Sequence, residues 1–558
     1  MWERIAQYFR THPLFLLALA ALNCVIQIYW FSRTCIHYLD FDGISYLGIA
    51  RHIADGDFHS SINAFRSPLV SWLIALCSPS RINPLLIGKL LTIISCLGCA
   101  ALLYFLTRSL WHSSLAASLT VLWFTLGRGT LAYSVLLVSA DFLLTFLVLV
   151  YFIVLLRCLR HQRQRDWLIL GGVHAAAFLA KAFALPWLAL ITLIAVLLAW
   201  KTRKQAAQSL ALAALFPFVV FVLWASVLHS KYGVFTAGSQ LKTNLLQWTL
   251  KEKLDVNQQG YVFLHDTSRT VDPYLVGDPM PPGSRFWGQH FSLNRLLPAL
   301  IHTEIHNLPA AINEFGILLT PGGVLAFLFG LAALVRKRKE YRVEFQFAVV
   351  VVVGSVTLVL AYCMLVFDNR YAFPAIPPLI AVSMGFFLPV PENILASSFP
   401  KLCRTACIVL VIAGLIFTTF YWASPFRTLN RDFQSSCYDA GEKLKAHRVT
   451  TIVNVGSGPY PEHGIGWEAG YKAAYFGNAA IVAHSDLLPD AAHMNDALSD
   501  ITKAAPEAVL LWGDPRQDNY QALVHRLVQG ATVLEFEKVQ DSVKGESGSI
   551  VYLRPAGK

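Results

Sequence analysis

The sequence predicts a polytopic α-helical membrane protein of about 11 spans, followed by a small extracytoplasmic α/β domain. Three observations carry that expectation. Of 558 residues, 55% are hydrophobic and 14% charged, with a mean hydropathy of +0.51, whereas soluble globular chains are about 25% charged. Runs such as PLFLLALAALNCVIQIYWF (13–31) and EFQFAVVVVVGSVTLVLAYCMLVF (344–367) are long enough to cross a hydrocarbon core of roughly 30 Å. Basic residues gather in short stretches between such runs: Arg4 and Arg10, Arg108, RCLRHQRQR (157–165), KTRK (201–204), RKRKEYR (336–342), and Lys401 with Arg404. If these mark the cytoplasmic side, the intervening loops alternate to the other side. The alternating ten-residue strands of a membrane barrel are absent.

In order, the spans are expected near 13–33, 84–107, 113–127, 139–158, 167–183, 186–200, 206–229, 317–335, 344–366, 372–391 and 404–423. With the N-terminus cytoplasmic, external loops fall at 34–83 and 230–316, and everything after 424 lies outside. The short apolar stretch SPLVSWLIALCS (67–78) would break the alternation if it spanned, so it reads as a shallow or re-entrant segment on the outer face. The external loop 230–316 carries a Pro/Gly-rich run, VGDPMPPGSRFWG (276–288). This divides the chain into a multi-spanning domain, 1–428, and a tail domain, 429–558.

The tail reads as alternating strands and helices. TIVNVG, AAIVAH, AVLLWG, ATVLEFE and SIVYLRP are strand-like, and QDNYQALVHRLVQ (517–529) is helical. GSGPYPEHGIG (456–466) follows a strand, but two prolines and the wrong spacing set it apart from the dinucleotide fingerprint, leaving an ordinary strand-to-helix loop. The net charge of +11 resides in the cytoplasmic clusters. No basic patch with interleaved aromatics occurs elsewhere, so a nucleic-acid partner is not expected. Most of the ten cysteines sit in apolar segments as small hydrophobes, and no His/Cys cluster has zinc-ligand spacing.

One stretch stands out against this background. YLDFDGISYLGIARHIADGDF (38–58) collects Asp40, Asp42, Asp55 and Asp57 immediately after the first span. Tyr46, Ile49, Ala50, Ile53 and Ala54 recur at helical spacing, with Ser45, Arg51, His52 and Asp55 opposite, as in a helix lying in the membrane interface. Asp42 would cap such a helix. Further ionisable groups fall at the outer ends of spans: Asp141 opens one, Lys181 closes another, and Arg370 with Tyr371 follows a third. Each cation taken singly could snorkel to the headgroups. Ionisable groups at such depths otherwise mark functional cavities. Carboxylates can take a proton from an alcohol nucleophile, and cations can hold an anionic leaving group.

These residues carry a resemblance. DFDGISYLGIARHIADGDF with FRSPLVSWLIAL resembles the first external loop of the GT-C superfamily of membrane glycosyltransferases, in the branch of protein O-mannosyltransferases and lipid A aminoarabinose transferases. Asp42, Tyr46, Ala50, Gly56 and the Pro68–Leu69 pair match that branch in order. Gly43 departs from it, standing where many relatives carry a second acid. SADFLLTFLVLVYF, GGVHAAAFLAKAFALP and DNRYAFPAIPPLIAV resemble its second acidic segment, its Gly-rich span ending in lysine, and its late Arg-Tyr-Pro segment.

The resemblance implies a transferase that moves a sugar from a polyprenyl-phosphate donor to a glycan, lipid or protein acceptor on the outer face. Asp42 would be the general base, and Asp141, also catalytic, would shape the pocket or help hold a divalent ion. Lys181, Arg370 and Tyr371 would hold the lipid phosphate, and Asp40, Tyr46 and Arg66 would support them from the first loop. It leaves metal dependence open, with a divalent cation at Asp141 as one option. Two other classes fit a polytopic chain. A transporter or flippase would place paired ionisable residues mid-span in two related halves, and a non-catalytic protein would use its external domain to bind a ligand.

Overall fold

The computed structural model describes residues 13–250 and 292–387, apart from 36, 78–81, 128–129, 201 and 366. In the C-terminal part it describes 431–456, 465–486, 506–513, 525, 533–538 and 547–553. The N-terminal part is helical throughout. Its principal helices are α1 (Pro13–Thr34), α2 (Phe41–Ala54), α3 (Leu69–Leu76), α4 (Pro84–Trp111), α5 (Ser114–Leu126), α6 (Thr130–Leu136), α7 (Asp141–His161), α8 (Gln164–Ala180), α9 (Ala184–Ala199), α10 (Arg203–Tyr232), α11 (Leu293–Arg336), α12 (Arg342–Cys363) and α13 (Ile376–Ser383).

Among the described residues, five helices are long and apolar enough to cross a membrane: α1, α4, α7, α10 and α12. A sixth is reached if α5 and α6, bent by 55° to one another, count as one broken span. The expected spans at 186–200 and 317–335 correspond to shorter apolar helices, α9 and the Gly323–Arg336 end of α11. The expected span 404–423, the run 276–288 and the helix at 517–529 lie outside the described residues, residue 525 excepted. Residues 293–316, expected in an external loop, instead begin the 44-residue α11, continuous with the following span.

α7 is the central helix, with Leu144, Val148, Leu149, Tyr151 and Leu155 fully buried. Polar side chains tie it and its neighbours together, each donor meeting an acceptor inside the bundle at the following contacts. The Tyr151 hydroxyl meets Thr192 of α9 at 2.7 Å, and the Trp187 indole donates to the Gly354 carbonyl of α12 at 2.8 Å. α3 is a re-entrant-sized helix of eight residues that packs on α2, where Ser71 Oγ donates to the Tyr46 carbonyl at 2.9 Å.

α2 does not lie open on a surface. Its first turns are buried nearly all round, and Ser45, expected on a solvated face, is 0% exposed. The reason is that α3 and α4 pack against α2, and the tail domain meets it as well.

The tail forms α14 (Arg431–Ala446), β1 (Thr451–Gly456), α15 (Ile465–Gly477), β2 (Ala480–Asp486), β3 (Ala508–Gly513), β4 (Val533–Lys538) and β5 (Ser547–Leu553). The sheet order is β2-β1-β3-β5-β4, with β1 parallel to β2 and β3, and β5 antiparallel to β3 and β4. Ile452, Val453 and Val455 are buried on both faces of β1, as a strand paired in parallel on both sides and covered by helices requires. The helices dock on the first loop: His37 stacks on Tyr438 at 3.8 Å, the buried Lys472 ammonium sits 5.5 Å from the Tyr38 ring, and Arg51 bonds Asn478.

Candidate active site

The residues singled out from the sequence come from five separate segments and converge at one end of the helical bundle. Asp42 occupies the first turn of α2. The position that caps this helix is Asp40, so the reading of Asp42 as its cap is corrected. The Asp42 carboxylate turns away from its own helix to two arginines, with Oδ1 2.6 Å from Arg66 Nη2 and Oδ2 2.8 Å from Arg370 Nη1. Burial alone would raise this carboxyl. Arg370, then Arg66 and Lys181, overcome it and hold Asp42 well below the ordinary carboxylate range.

Each arginine is aimed by its own local turn. Asn63 Oδ1 accepts from the Phe65 and Arg66 amides at 2.8 and 2.7 Å, an Asx-turn that swings Arg66 inward. The Arg66 guanidinium then lies 4.8 Å from the Phe65 ring and 5.8 Å from the Tyr46 ring. Tyr46 is buried, which pushes its phenol above its usual range and keeps it protonated. Arg370 sits in a 3-10 turn, Asn369–Ala372, whose start is capped by Asp368: Oδ1 accepts the Arg370 amide at 3.1 Å and Oδ2 the Nε at 3.2 Å.

Asp141 is the first residue of α7, 2% exposed, where the helix N-terminus favours a negative charge. Ser139 Oγ donates to its Oδ2 at 3.0 Å. Lys181 leaves the end of α8 in an extended conformation, and its ammonium bonds Asp141 Oδ1. Arg370 Nε lies 3.9 Å from the other Asp141 oxygen, bridging the two acids. Tyr371 provides a platform beneath these charges, with Lys181 Nζ 4.7 Å from its ring and Tyr362 stacked on it at 4.4 Å.

Asp40 lies behind Asp42. Its Oδ1 accepts the Val138 amide at 3.1 Å, and burial, then the Asp42 charge, push its carboxyl up to about 6. A side chain at Gly43 would place its Cβ 2.8 Å from that same Oδ1. Asp40 thus fills the room that an acidic side chain at position 43 would need.

All eight residues named from the sequence therefore share one cluster. Three further members were not singled out. Asp368 aims Arg370, Ser139 orients Asp141, and Tyr362 stacks on Tyr371. Asp368 was visible in DNRYAFP. Tyr362, one tyrosine among many at span ends, carried no signal.

The donor set fits a divalent cation poorly. Asp42 and Asp141 are already engaged by arginine and lysine, and among the described residues no three His, Cys, Asp or Glu side chains converge. The arrangement suits an anion instead: three cations, each tethered by a carboxylate, beside two acids and a stacked tyrosine pair. A phosphate can take over such cations while a displaced carboxylate becomes available as a base.

In structure, nearly the whole chain is similar to ArnT from Cupriavidus metallidurans bound to undecaprenyl phosphate. The TM-score is 0.54 at 13% identity, over 97% of this chain and 98% of that one. The fold is that of ArnT. The same protein in the apo state matches with a TM-score of 0.51 at 12% identity, over 96% of this chain and 97% of that one. The ArnT-like fold thus covers the helical bundle and the tail together. No family model and no curated protein matches the sequence.

Proposed function

We propose that this chain is a membrane glycosyltransferase that transfers a sugar from a polyprenyl-phosphate carrier to a hydroxyl of a glycan, lipid or protein acceptor. The observation that carries the reading is the grip of Arg66 and Arg370 on Asp42, with Lys181 and Arg370 on Asp141, at one end of an apolar bundle. The undecaprenyl phosphate bound by ArnT, whose fold this chain shares, fits the same anionic chemistry.

In this reading the carrier phosphate draws Arg370 and Lys181 toward its oxygens, which loosens Asp42. Asp42 then accepts the acceptor proton as the acceptor oxygen bonds the anomeric carbon. The bond from that carbon to the phosphate oxygen breaks with its electron pair on the carrier, giving inversion. Asp141 holds Lys181 and Arg370 in place, and Tyr371 packs against the phosphate. The test is to incubate purified protein with labelled polyprenyl-phosphate sugars, with and without envelope acceptors. Transfer is expected from a lipid donor, and a protein that binds such donors yet transfers from none would sink the reading.

An apolar groove of about 290 Å³ supports a lipid donor. It lies between α11, α12 and α13, lined by Leu308, Ile312, Phe327, Val352, Val356 and Leu379, and reaches Leu360, two residues before Tyr362. We assign it the polyprenyl chain. Val356→Trp should raise the KM several-fold for long-chain donors and leave short-chain donors unaffected; equal effects on both would remove the groove from donor binding.

The topology that goes with this function has 11 spans in a plasma (bacterial inner) membrane, a cytoplasmic N-terminus and an extracytoplasmic tail from 429. Cysteine labels at Arg338 and Lys558 should report opposite sides. Finding both on one side would overturn the external site.

A further inference from the structure

We propose that Asp40 is a positioning residue, whose carboxyl ties the 137–140 segment to the first turn of α2 and thereby sets the spacing of Asp42 and Asp141. The proposal rests on the transfer reading for what that spacing serves, but its geometry stands apart from it.

Asp40 stands where an aspartate ordinarily accepts a bond from its own helix, and it makes no such side-chain bond. Its acceptor goes instead to the amide of Val138, which is 0% exposed and three residues before Asp141. The second oxygen, Oδ2, is buried with no hydrogen-bond partner among the described residues. Leaving a buried oxygen so exposed to desolvation is costly. A residue chosen only to start α2 would avoid that cost by facing its own helix.

Two glycines make room for the joint. A Cβ on Gly43 would come within 2.8 Å of Asp40 Oδ1 and 3.1 Å of Val138 Cβ. One on Gly88, across in α4, would come within 2.7 Å of Val138 Cγ1. Val138 is therefore seated in a notch, with its side chain between two glycines and its amide on Asp40. From this seat the chain passes through Ser139, which bonds Asp141, into α7. Asp42 is two residues beyond Asp40 on the other side. A shift of this joint moves one acid relative to the other, and reacting groups displaced by about 1 Å can cost 10²-fold in rate.

The test compares Asp40→Asn with Asp40→Ala, because asparagine keeps the acceptor for Val138 and removes the charge. Two readouts are made on the same full-length samples. The first is amide exchange over 137–141 by mass spectrometry. It should stay as in wild type for Asp40→Asn and quicken about tenfold or more for Asp40→Ala. The second is turnover, with kcat near wild type for Asp40→Asn and lowered roughly 10–100-fold for Asp40→Ala. KM and affinity for a polyprenyl-phosphate analogue should hold in both, and retained analogue binding shows that each variant is folded.

Gly43→Ala, which crowds the joint with Asp40 intact, should also lower kcat. Wild-type exchange in Asp40→Ala would overturn the proposal, as would an Asp40→Asn enzyme as slow as Asp40→Ala. A wild-type protein that transfers no sugar would sink the transfer reading, and the exchange measurement would still decide the joint.

Discussion

Asp42→Asn should leave a folded protein whose turnover falls roughly 10²–10⁴-fold, the range for loss of a general base. The substitution keeps the shape of the side chain and one acceptor for the arginines. It removes the charge that Arg66 and Arg370 hold at 2.6 and 2.8 Å. Both cations are then less occupied in the resting site, so affinity for a polyprenyl-phosphate analogue should be unchanged or tighter while kcat collapses. That split separates chemistry from binding. Asp55→Asn is the control: Asp55 is 66% exposed and its partner is the exposed Arg51 at 3.6 Å, a pair worth little in water. Its turnover should stay within about twofold of wild type. Equal turnover in wild type and Asp42→Asn would leave Asp42 as an ion-pair residue and pass the role of base to Asp141.

Much of this site was legible because charge is scarce in the chain. In a sequence with 14% charged residues, an acid that opens a span or a lysine that closes one is conspicuous, and Asp141 and Lys181 proved to be bonded to each other. The strands of the tail were legible for a similar reason, as short apolar runs between polar ones. What was illegible was direction. Spacing placed Asp42 at the start of a helix but could not show whether it faced that helix or Arg66 and Arg370, since both arginines arrive from other segments. The burial of Ser45 was hidden likewise, because it depends on packing partners that arrive from elsewhere in the chain. The early start of α11 was masked by Pro298, Pro309 and the charges of Arg295 and Glu304, which lower the apolar signal over a helix that nevertheless continues.

Arg370→Ala should weaken binding of a polyprenyl-phosphate analogue by roughly 10–100-fold, about 1.5–3 kcal/mol for a charged hydrogen bond lost. Arg370 touches both acids, at 2.8 Å from Asp42 and 3.9 Å from Asp141, and Asp368 fixes its fork at 3.2 Å. Arg370→Lys restores the charge without the planar pair of donors, so it cannot bond Asp368 and Asp42 together while presenting a face to phosphate. Only part of the affinity should return. A merely anchoring arginine at the membrane interface behaves differently: lysine would replace it almost fully, and analogue affinity would not move even in the alanine variant. Titrating the analogue against wild type and both variants at two salt concentrations distinguishes these. Since Lys181 remains bonded to Asp141 in every variant, residual affinity in Arg370→Ala should be the part most sensitive to Lys181→Ala. Full affinity in Arg370→Ala would move the phosphate off Arg370 and onto Lys181 and Arg66.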